Sequence, residues 1–111
     1  MTHPYQIEIR TDNTSDPAII FNLYLDGEGT PNLFLPMSGW IGALEAREDS
    51  ECRPFVLHDN GTLDFGSYAP DAVRHGAIHW SRLSRYHVGA EMGVTLADDE
   101  TTYRVFRISR L

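Results

Sequence analysis

Apolar and polar side chains alternate with a two-residue period over much of this chain, the pattern of strands with one face in a core. Tyr5, Ile7 and Ile9 alternate with Gln6, Glu8 and Arg10, which predicts a half-buried strand. A loop rich in Asp, Asn, Ser and Pro follows from Thr11 to Pro17. Ile19, Phe21, Leu23 and Leu25 then share one face of a second strand, and Ile20 and Tyr24 on the opposite face predict cover on both sides. The two strands read as an opening hairpin, closed off by a turn at Asp26-Gly27-Glu28-Gly29.

Leu33-Phe34-Leu35 reads as a short strand, and its brackets Pro31 and Pro36 suit an edge position. From Ser38 to Arg47 the spacing of Trp40, Ile41 and Leu44 is helical, with Ser38 as a candidate N-cap. Gly39 and Gly42 weaken that helix by about 1 kcal/mol each, yet a short helix is the expectation. A second hairpin is better marked. Phe55 to His58 and Thr62 to Phe65 flank Asp59-Asn60-Gly61, and Asn-Gly tolerates the positive φ that tight hairpin turns require. Pro70 to His75 predicts one or two helical turns ended by Gly76, and Ala77 to Ser81 a strand with Ile78 and Trp80 inward.

In the last third, Val88, Ala90, Met92, Val94 and Leu96 line one face of a strand. A turn at Asp98-Asp99-Glu100 leads into a final strand from Thr102 to Arg110, with Met92 expected opposite Phe106 and Glu91 opposite Arg107. Eight or so short strands with regular turn signals imply a mainly β protein, an antiparallel sandwich or small barrel with one or two short helices. Its 111 residues suit a single domain spanning the whole chain.

Charge changes the picture more than composition does. Sixteen acids against nine bases give −7, and every base is arginine. Residues 1–76 hold twelve acids and four arginines, a balance of −8; residues 77–111 hold four acids and five arginines, a balance of +1. An acidic front of this kind repels phosphate, which argues against nucleic acid and anionic membranes as partners. A single cysteine, Cys52, allows no internal disulfide, and residues 1–10 lack the apolar stretch of a secretory signal. A reducing, cytoplasmic setting is the expectation.

No catalytic constellation stands out. His75 and His79 are four apart, but across an extended segment that is about 13 Å, too far for both to grip one metal; no metal or cofactor is called for. Ser38 lacks a nucleophile elbow. Asp26, Glu28, Glu45, Glu48, Asp49 and Glu51 form acidic loops, and Trp40 is a candidate aromatic anchor. The resulting expectation is a non-enzymatic binding module of the inhibitor, immunity or adaptor type that recognises a protein partner, a basic one being permitted by the charge, through those residues. The rival expectation is a small-molecule or enzymatic barrel whose pocket gathers His58, His79, His87, Arg82 and Arg104. Final strands without proline or lysine gatekeepers also permit a homodimer built by edge pairing.

Overall fold

The computed structural model describes residues 2–13, 16–31, 37–42, 53–58, 60–64, 76–79, 85–96 and 99–111. Within them run eight strands: β1 (His3–Arg10), β2 (Ala18–Leu25), β3 (Met37–Gly42), β4 (Arg53–Leu57), β5 (Leu63–Asp64), β6 (Ala77–Ile78), β7 (Glu91–Leu96) and β8 (Asp99–Arg110). All pair antiparallel in one sheet ordered β5-β4-β3-β2-β1-β8-β7-β6. Consecutive strands are neighbours, and the first strand pairs with the last. The sheet is therefore an up-and-down meander that curls into a nearly closed barrel.

The two ends of the sheet meet at a short seam. Thr62 bridges Ala77, Leu63 N–H donates to Gly76 O at 2.9 Å, and Ile78 N–H donates to Gly61 O at 2.8 Å. Period-two alternation, broken by one slip in β8, then sorts the described wall residues. Ile7, Ile9, Ile19, Phe21, Leu23, Ile41, Phe55, Leu57, Leu63, Ile78, Met92, Val94, Tyr103 and Val105 point inward and pack in one cluster.

The opening hairpin is as expected, with Ile7 opposite Phe21 and Ile9 opposite Ile19. Ile20 and Tyr24 lie on its outer face and are only half-buried. The turn between β4 and β5 also matches: Gly61 takes φ +91°, and its N–H donates to His58 O.

Two expectations fail. Residues 37–42 form β3, not a helix. Gly39 is the reason: it sits between Phe21 and Phe55 in adjacent strands, and the Phe55 ring fills the space its side chain would need. The glycine that weakens a helix here admits a tight sheet contact. In the last hairpin, Leu96 pairs with Asp99, Met92 with Tyr103 and Glu91 with Arg104, so the turn comes earlier than Asp98-Asp99-Glu100. This register buries Tyr103 and Val105, and it leaves Val88 outside β7 at 65% exposure. The expected strand at 33–35 and helix at 70–75 lie outside the described residues.

Candidate functional site

On the outer wall, where β1 meets β8, the ladder slips by one residue. Glu8 pairs with Arg107 and Ile9 with Val105, which leaves Phe106 without a partner. This β-bulge turns Phe106 and Arg107 outward together while Val105 and Ile108 both pack against the core. Arg10 is outward because Ile7 and Ile9 are inward. Its guanidinium lies 3.7 Å from the Phe106 ring centroid, and that of Arg107 lies 5.8 Å away. Glu8, two residues earlier on the same face, holds Arg10 from the side by hydrogen bond and ion pair.

A turn closes the other side. Ala90 N–H donates to His87 O, and Gly89 at φ +93° occupies the third position, where type II turns call for glycine. Gly89 N–H and Val105 N–H tie this turn to β8, to Val105 O and Ala90 O respectively, each at 2.8 Å. Its tip, Val88, stands beside the bulge. The loop after β1 is braced in turn by the Thr11 hydroxyl, which bonds Asp16 and the backbone of Asn13.

Between these parts lies a cleft of about 390 Å³ whose walls include Arg10, Thr11, Asp12, Val88, Arg104 and Phe106. Arg10 and Arg104 occupy directly opposite ladder positions. Like charges so placed repel, and each arginine has its own acid. The Arg104 Nε–H donates to Glu91 at 3.1 Å, and its Nη1 stands 3.5 Å from Asp12. Around the cleft three arginines (10, 104 and 107) balance three acids (8, 12 and 91), in a chain whose net charge is −7.

The expected site residues are not brought together. Asp26 is a turn former: its carboxylate accepts from the N–H groups of Thr30 and Glu28, which holds its pKa below the ordinary value. Glu28 lies 3.8 Å from Arg85, both well exposed. Trp40 stands on the outer face opposite Ile20, and six positions along β2 separate that level from Asp26, roughly 20 Å. Glu45, Glu48, Asp49, Glu51 and Arg82 lie outside the described residues.

Nor do His58, His79 and His87 line the cleft. His58 is in the β4–β5 turn, 3.4 Å from Asp64. His87 is exposed, its Nδ1 3.1 Å from Val88 O. His79 lies on the outer face of β7, its Nε2 3.2 Å from the Thr95 hydroxyl and 3.4 Å from Glu100. Both contacts fall on one ring nitrogen, whereas a relay from hydroxyl to carboxylate uses the two different ones. Among the described residues, no three His, Cys, Asp or Glu side chains gather closely enough to hold a metal. Of the expected pocket residues described, Arg104 alone lines the cleft.

Phe106, Arg10 and Val88 are the residues the sequence reading missed. Their signal was a conflict of phase within β8: Tyr103 and Val105 share one parity, and Phe106 and Ile108 share the other. A single straight strand cannot bury both pairs; the bulge brings Ile108 to the core face with Val105 and leaves Phe106 outside. No protein-family model matches the chain, and no curated protein or solved structure matches it significantly.

Proposed function

We propose that the chain is a non-enzymatic binding module that receives a protein partner at its outer-wall cleft. One observation carries this reading: Val88 and Phe106 are 65% and 46% exposed in a concave site, with an arginine stacked on the aromatic ring. Aromatic side chains bury large areas with little rotamer loss, arginine adds charge-assisted and stacking contacts, and a concave setting excludes water around them. Inward side chains packed in one cluster leave recognition to the wall and its turns.

The acidic loops add a long-range contribution. A balance of −8 over residues 1–76 raises the encounter rate with a basic partner without fixing the contact. An inhibitor, an immunity-type protein or an adaptor in the cytoplasm works by this division of labour, with steering from the loops and anchoring in the cleft.

The test is quantitative affinity capture from the source cells with three versions of the chain: unaltered, Val88→Asp with Phe106→Ser, and Trp40→Ser as a distant control. A partner captured by the first and third should drop by about tenfold or more with the second, the scale of losing two anchors. Equal recovery with all three, each folded by thermal melting, rules the cleft out as the docking surface.

A further inference from the structure

Resting on that reading, we propose that Asp12 occupies, in the free protein, the place that a carboxylate of the partner takes in the complex. The occupant of the cleft is then an acidic residue of the partner flanked by an apolar side chain.

Arg10 and Arg104 face each other across β1 and β8, an arrangement that invites an anion between or beside them. Glu8 takes the Nε and Nη2 groups of Arg10, and Glu91 takes the Nε of Arg104. Among the described residues, the Nη1 of Arg104 meets only Asp12, at 3.5 Å, beyond good hydrogen-bond length. The Asp12 side chain is 86% exposed, so water and salt weaken its hold. With Asp12 turned away, three arginines face two acids, and the patch has room for one negative charge.

The apolar half of the occupant follows from position. Val88 and Phe106 share the cleft with Arg104, so a carboxylate on the Arg104 edge brings its neighbouring side chain against them. A guanidinium edge grips a carboxylate by two parallel bonds, which fixes direction as well as charge.

The experiment uses the full chain, isotope-labelled for NMR, with two probes: N-acetyl-leucine as its carboxylate, and the uncharged N-acetyl-leucinamide. The acid should shift the signals of Val88, Gly89, Phe106 and the Arg104 Nε–H, and bind about fivefold or more tightly than the amide, the scale of one exposed charge-assisted contact. Asp12→Asn should strengthen the acid's binding about threefold, because it removes the competing negative charge while keeping the side chain's size. Arg104→Gln should abolish the preference for the acid.

Equal binding of the two probes, weaker binding by Asp12→Asn, or shifts elsewhere on the barrel overturns the proposal. Failure here is distinct from failure of the protein-binding reading. If Val88→Asp with Phe106→Ser loses the partner while the probes do not discriminate, the cleft docks a protein but not through a carboxylate. If the probes discriminate while that variant captures the partner normally, the edge binds free carboxylates but the partner docks elsewhere, which overturns this proposal and the docking reading together.

Discussion

The ring of Phe55 lies over Gly39, its Cζ 2.7 Å from where a Cβ on Gly39 would sit. The same Cβ would stand 2.2 Å from Ile20 O and 2.7 Å from Phe21 Cα, both backbone atoms of the adjacent strand. Gly39→Ala is therefore expected to destabilise the fold by about 2–3 kcal/mol, the upper range for overpacking. Phe55→Leu relieves only the ring contact, so adding it to Gly39→Ala should recover little. Urea denaturation measures both, and a Gly39→Ala variant of unaltered stability would show that the β2–β3 spacing is wider than described.

Arg10 and Phe106 are expected to be energetically coupled. A guanidinium 3.7 Å from a ring centroid is within cation–π range, and with the Arg10 side chain 32% exposed the coupling should be about 0.5–1 kcal/mol. A double-mutant cycle with Arg10→Gln and Phe106→Leu isolates it. Additive stability losses would mean that the stack is an incidental contact and the bulge alone sets the position of Phe106.

How much of this was legible in the sequence follows from where one local signal acts unopposed. Ile7 and Ile9, with Phe21 and Leu23, alternate cleanly, and the pattern yields both strands and their faces. Asn60-Gly61 marks its turn because the backbone there needs positive φ. Residues 38–42 misled because Trp40 and Ile41 are adjacent in sequence but belong to opposite faces of a strand, while a helix would group them. What decides between the two is the long-range fit of Gly39 against the backbone of β2 and the Phe55 ring. The β7–β8 register failed for a related reason. An unbulged β8 must choose between burying Val105 and burying Ile108, and the slip that spares the choice depends on pairing with β1, nearly a hundred residues earlier. The cleft was hidden for the same cause, since burying Tyr103 and Val105 is what turns Phe106 outward to the face that carries Arg10.

The β5–β6 seam is expected to be the first part of the barrel to open. Among the described residues it rests on the Thr62–Ala77 bridge and two backbone hydrogen bonds, whereas β1 and β2 pair over seven consecutive positions. Local opening follows the number of cooperative contacts that must break together. In native-state hydrogen exchange the amides of Leu63 and Ile78 should exchange about a hundredfold faster than the bonded amides of the β1–β2 ladder. Equal protection across both would show that the barrel opens only as a whole.

Alkaline pH should destabilise the fold through its buried tyrosines. Tyr103 is 2% exposed, and burial, with a smaller contribution from Asp16, pushes its phenol up to about 12. Burial raises Tyr86 in the same direction. An unfolded phenol loses its proton near pH 10, so between about 10 and about 12 the unfolded chain ionises while folded Tyr103 does not. The stability is fully present below pH 10 and declines as pH rises, by about 1.4 kcal/mol per pH unit and roughly 2–3 kcal/mol in all for this one group. The chain contains no lysine, and arginine keeps its charge throughout the window, so no other basic side chain masks the decline. Tyr103→Phe loses the hydroxyl's 3.3 Å bond to Pro17 O, at about 1 kcal/mol near neutrality, and should flatten the alkaline slope. Denaturant titrations at a series of pH values, read beside the phenolate absorbance, give both quantities. An unchanged slope in Tyr103→Phe would place the alkaline sensitivity on Tyr86 or elsewhere in the barrel.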